Sequence, residues 1–188
     1  MIGRSLGGVC TKHVFVMGSE HGPWVRPVLA RFTDSARLTL GTLGADVLLI
    51  DRSDYGPFRH RRIPFLFFST GENPDYHRIT DRADTIDYPK TEAISRLIHG
   101  VIKDALVRPT IPGWSTVPEH PIEEVLTIRE VFKIMLEHGE ELKISGAQSF
   151  IMRGTLRTLD AIAERKTYHV SERPAIIRVA QGILATVF

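Results

Sequence analysis

Apolar and polar positions divide the chain into two regimes. Up to about residue 107, short apolar runs alternate with stretches of helical periodicity. Beyond about residue 121 only helical periodicity remains. Lys12–Gly18 is short, rich in β-formers and ended by glycine, which predicts a buried strand. Pro23 can open a helix to about Ser35, with Val25, Val28, Leu29 and Phe32 on one face. Leu38–Ile50 is apolar with two internal glycines and predicts a strand near Asp46–Ile50. Ser53 or Asp54 can cap a short helix running through Phe58 to Arg62. Ile63–Ser69 is nearly continuous in apolar residues, as in a central strand covered on both faces.

Gly71–Pro89 is a long polar loop, a kind of segment that in compact domains is usually functional. Thr91–Ala105 then predicts a helix carrying Ile94, Leu97, Ile98, Val101 and Ile102. Pro109, Pro112, Pro118 and Pro121 mark residues 108–121 as a linker. Three amphipathic helices follow. They start near Ile122, Ala147 and Ser171 and present Val125–Ile128–Phe132–Met135, Met152–Leu156–Leu159–Ile162 and Ile176–Ala180–Ile183–Val187. The expected architecture is α/β, part of a mixed, mostly parallel sheet flanked by helices, followed by an all-α appendage of about three helices. The expected boundaries are 1–107, 108–121 and 122–188.

Composition narrows the chemistry. A formal net charge of +2 on 188 residues gives no electrostatic case for a nucleic-acid or anionic-membrane partner. No run approaches the ~20 apolar residues of a membrane span. Cys10 is the one cysteine, so no internal disulfide forms, and a buried core thiol is its simplest role. The first residues lack the layout of a leader peptide, and no compartment is indicated.

The candidate chemistry lies in the long loop, which follows the Ile63–Ser69 strand. Open α/β sheets gather ligands at the C-terminal edge of their strands. Tyr76-His77 offers an imidazole able to ligate a metal beside a phenol able to donate to an oxyanion. Asp75, Asp81 and Asp84 are near enough in sequence to hold the second ring nitrogen of His77. His13 falls on the first strand and His21 in the turn after it. His60 lies in the basic cluster Arg59–Arg62. His99, His120, His138 and His169 fall on helices or in the linker and are expected at the surface. Glu123-Glu124 and Glu140-Glu141 sit among the C-terminal helices and are set aside as catalytic pairs.

Several short motifs occur in a fixed order: Ser53-Asp54-Tyr55-Gly-Pro57-Phe58, Ile63-Pro64, Thr70-Gly71, Pro74-Asp75-Tyr76-His77, Asp81 and Asp84–Tyr88. Together they resemble the C-terminal part of the M28 family of zinc peptidases, mostly aminopeptidases with two co-catalytic metals, whose fold the glutaminyl cyclases share. The resemblance covers roughly residues 1–107. It implies that His77 is the last zinc ligand and that Tyr76 helps stabilise the tetrahedral intermediate. It implies that Asp54 and Asp81 orient neighbours rather than bind metal. Tyr55 departs from the histidine many members carry there, which bears on local hydrogen bonding.

Met1-Ile2-Gly3-Arg4 is similar to the end of the family's Asp-Met-Ile-Gly-Arg strand, whose aspartate is a zinc ligand. The chain starts one residue after that aspartate and matches a single one of the expected ligands. The expectation is therefore the C-terminal portion of a metal-dependent aminopeptidase acting on peptides or amino-acid derivatives, inactive alone and not fully binding the two zincs. A non-catalytic binding module that keeps the scaffold is the alternative. Self-association through the C-terminal helices or an exposed sheet edge is open to either. A glutaminyl-cyclase-like acyltransferase is less favoured, because those enzymes tend to place tryptophan where Tyr76 stands.

Overall fold

In a computed structural model, residues 2–47, 53–110 and 113–187 are described. They form two compact units. The first comprises residues up to Ala45 together with 53–119. The second comprises 120–187 together with Asp46 and Val47.

The first unit is built on a three-stranded mixed sheet, ordered β2–β1–β3, with β1 His13–Met17, β2 Thr39–Thr42 and β3 Phe67–Ser69. β1 and β2 are parallel, with His13 opposite Thr39, and the crossover between them carries helix α1 Arg26–Phe32. β3 runs antiparallel to β1, with Phe15 opposite Ser69. All five β1 residues are buried, so β1 is the central strand. Its Val14 and Val16 pack with Val28 and Leu29 of α1. They also pack with Ile94, Leu97 and Val101 of α3 Tyr88–Val107. Ile94 and Leu97 are fully enclosed, and each such side chain contributes roughly 1.5–3 kcal/mol.

Several local expectations change. The apolar run at 63–69 is not a central strand: only Phe67–Ser69 pairs, at the edge, and Ile63 is exposed. Pro64 lacks the N–H a central ladder needs. The apolar stretch after Leu38 pairs at Thr39–Thr42. Of the strand expected near Asp46–Ile50, Asp46 and Val47 belong to a single 3-10 turn, and residues 48–50 lie outside the described residues. The helix expected from Pro23 begins as a 3-10 turn, Pro23–Val25, before α1. Asp54 stands at the N-cap position of α2 Tyr55–His60, but its exposed side chain makes no capping bond. α3 starts three residues earlier than Thr91, because the Asp87 side chain accepts from the Lys90 amide at 2.9 Å.

Within the proline-rich stretch, residues 113–119 are docked on the first unit. The Ser115 amide donates to the His21 carbonyl and the Glu119 amide to that of Glu20, each at 2.8 Å. Trp114 stacks on His21 at 3.7 Å between ring centroids. The buried Glu20 carboxylate also accepts from the Gly18 and Ala45 amides, both at 2.8 Å.

The second unit contains α4 Ile122–Glu137, α5 Gly146–Arg165 and α6 Arg173–Val187. α4 packs on α5, and α5 on α6. The expected stripes face inward: Val125, Ile128, Phe132, Met135, Met152, Leu159, Ile162, Ile176, Ala180 and Ile183 are buried. Ser145 and Gln148 form a reciprocal capping box that starts α5.

An ionic cluster lies in the same unit. Arg173 donates twice to Glu124 (2.8 and 2.9 Å) and twice to Asp46 (2.7 and 2.6 Å). Burial alone would push the Arg173 guanidinium down in pKa. The hydrogen bonds to Asp46 and Glu124 outweigh this and hold it above its ordinary value. For Asp46 burial pulls upward, and Arg173 more than reverses it. His120, expected at the surface, has only 10% of its side chain exposed and lies 3.6 Å from Glu124. No described helix is long and apolar enough to cross a membrane.

Candidate functional site

The long loop leaves β3 at Ser69 and returns to α3 at Tyr88. Because β3 is antiparallel, it is delivered beside the start of β1, not at the C-terminal edge of the parallel pair. That placement corrects the expectation drawn from open α/β sheets. It also explains why the loop meets the N-terminal segment.

A series of turns shapes it. The side chain of Asn73, 6% exposed, accepts from the Asp75 amide at 2.8 Å. Its carbonyl accepts from the Tyr76 amide at 3.0 Å. The Asn73 Nδ2 atom is buried and has no hydrogen-bond partner. The Arg78 amide then donates to Asp75, and the Asp81 amide to Arg78. His77 sits at the apex with φ +58°, in the left-handed region that histidine tolerates better than most residues. Its side chain is exposed, and its ring lies 4.0 Å from the half-buried ring of Tyr76.

The neighbouring carboxylates do not turn toward His77. Arg4 takes them: its guanidinium pairs with Asp75 and, at 2.9 Å, with Asp81. It also donates to the Thr85 hydroxyl. The hydrogen bond from Arg4 holds the Asp75 carboxyl below its ordinary pKa. Asp84 faces Arg82 instead. Asp81 thus orients Arg4 rather than the imidazole. Asp54 lies on α2, in a separate element from this turn. Tyr55 is buried, stacks on Phe65 at 5.2 Å between ring centroids and meets Phe67 in a tilted contact at 4.9 Å.

The N-terminal segment that carries Arg4 is itself fixed. Lys90, 4% exposed, donates to the Arg4 carbonyl at 3.2 Å, the Ser5 hydroxyl at 2.9 Å and the Cys10 carbonyl at 3.4 Å. Burial pushes the Lys90 ammonium down to about 8, against the opposing charges of Asp87 and Cys10. The Gly3 carbonyl accepts from the Asp87 amide, and the Gly7 amide donates to Glu72. Sequence reasoning missed Arg4 and Lys90 as site-shaping residues. The signal for Lys90 was a lysine one turn before the buried face of α3.

A structural or catalytic zinc needs three or four protein ligands. Among the described residues no group of three or more His, Cys, Asp or Glu side chains is placed to hold a metal ion. Asp75 and Asp81 are committed to Arg4, and His77 stands alone. The described residues therefore do not by themselves fit the family's zinc pair.

The mixed sheet, the long helix α3 and the loop that presents Tyr76 and His77 define an α/β region. Residues 13–102 match the family model of peptidase family M28, to which that stretch is similar. The match runs from β1 into α3 and includes Tyr76 and His77. No curated protein and no solved structure matches the chain.

Proposed function

We propose that this chain forms the C-terminal portion of a metal-dependent aminopeptidase and contributes two residues to its active site. His77 is one metal ligand. Tyr76 is a hydrogen-bond donor to the carbonyl oxygen of the peptide being cleaved. The M28 match across the Tyr76-His77 loop carries this reading. In this reading the remaining zinc ligands and the general base come from elsewhere in the protein, and the chain alone is expected to give no turnover. A non-catalytic module that keeps the scaffold is the second reading; the pairing of Asp75 and Asp81 with Arg4 rather than with His77 favours it.

Elemental analysis and hydrolysis of aminoacyl-nitroanilides test this. The 188-residue chain is expected to hold no pair of tightly bound zincs and to give no turnover. Two tight zincs per chain would overturn that. In a protein that includes the full ligand set, His77→Ala is expected to lose metal and activity. Tyr76→Phe should lower kcat with metal retained. A His77→Ala protein that keeps both zincs and the wild-type rate would exclude the peptidase role of this loop and favour the module.

A further inference from the structure

Arg4 lies outside the matched region, yet it contacts both flanks of the Tyr76-His77 turn. Its side chain is 16% exposed, so its position is set by packing as well as by charge. One arm of the guanidinium holds Asp75, immediately before Tyr76. The other holds Asp81, four residues after His77. A planar fork can bridge two carboxylates in this way, while a lysine presents a single point charge. The backbone of Arg4 is anchored to α3 through Lys90, and that of Gly3 through Asp87. Between the two clamped aspartates stands His77, with a left-handed backbone that a non-glycine residue keeps only when its surroundings enforce it. The apex itself is exposed.

We propose that Arg4 is a positioning residue for the Tyr76-His77 turn. By joining Asp75 to Asp81 from a base on α3, it fixes the left-handed conformation of His77 and the direction in which the imidazole is presented. The consequence for catalysis rests on His77 being a metal ligand; the clamp itself does not.

The test is amide hydrogen exchange and histidine NMR on the intact chain. In Arg4→Met, exchange at Arg78 and Asp81 is expected to quicken at least ~10-fold, the ratio that loss of one charge-assisted hydrogen bond implies. The backbone shifts of His77 should leave their left-handed values, while amides of β1 and the middle of α3 keep their protection. Arg4→Lys should restore this only in part. In Arg4→Ala, sub-denaturing guanidinium should restore the His77 shifts, and the same concentration of sodium chloride should not. If Arg4→Met does not fold, Asp75→Asn with Asp81→Asn breaks the same fork with Arg4 in place. Unchanged His77 shifts and loop exchange in whichever variant folds would overturn the proposal. The ligand reading is tested apart from the clamp, in a protein that includes the full ligand set. If His77→Ala keeps both zincs there, the ligand reading fails, and the clamp is judged on the exchange data alone.

Discussion

Replacing Arg173 by methionine is expected to unfold most of the second unit's stability margin. Glu124 is 1% exposed and receives two hydrogen bonds from Arg173. Removing the guanidinium strands that carboxylate without its main cationic partner, which costs about 3–5 kcal/mol for a buried pair. Asp46 adds little, because its side chain is 45% exposed and water can replace Arg173 there, a loss of about 1 kcal/mol at most. For a unit of this size the total lowers Tm by roughly 12–48 °C. The assay is urea unfolding followed by far-UV circular dichroism, on wild type, Arg173→Met, Glu124→Leu and the double variant. The double variant is expected to be clearly more stable than Arg173→Met, because replacing both members of a buried pair by apolar side chains is close to neutral. A loss below about 1 kcal/mol in Arg173→Met, or a double variant that loses the sum of the two single changes, would refute the reasoning.

Lys90 gives a pH signature of unusual sign. Its folded value of about 8 lies below its ordinary value near 10.5, so between those limits the unfolded chain binds more protons. The first unit should therefore grow more stable as pH rises from about 8 toward 10.5, and Lys90→Met should remove that rise; urea midpoints across this range are the check. Two glycines should respond in opposite directions. Gly18 has φ +97° and an added Cβ would lie 2.3 Å from the Phe65 carbonyl, so Gly18→Ala should cost about 2–3 kcal/mol. Gly154, inside α5 with only the tip of Arg157 within 4.0 Å, should gain about 0.5–1 kcal/mol as alanine. Thermal melts of the two variants measure both.

The sequence was most legible where periodicity coincided with packing. The stripes of α4 and α6 were inward-facing as expected, because a helical face of aliphatic residues has few other places to go. It was least legible where one residue decided pairing. The run Ile63–Ser69 predicts burial, but Pro64 and the antiparallel register keep it at an edge, and register depends on partners distant in sequence. Glu124 could have been flagged. It lies four residues before Ile128 on the apolar stripe that continues to Met135, a position where a charge needs a buried partner. Its partners, Arg173 and Asp46, are too remote in sequence for any local pattern to reveal. The Tyr76-His77 pair was found through its motif. The direction of its neighbours was not, since short spacing places Asp81 within reach of His77 and gives no hint that Arg4 claims it first.

The docking of Trp114 on His21 has a practical consequence. Both tryptophans of the chain, Trp24 and Trp114, lie in the first unit, and the second has none. Indole emission therefore reports on the sheet-containing unit alone, while ellipticity sums α1–α3 with α4–α6, so ellipticity lost at constant emission marks the second unit. A single unlabelled sample thus distinguishes loss of the helical unit from loss of the peptidase-like one.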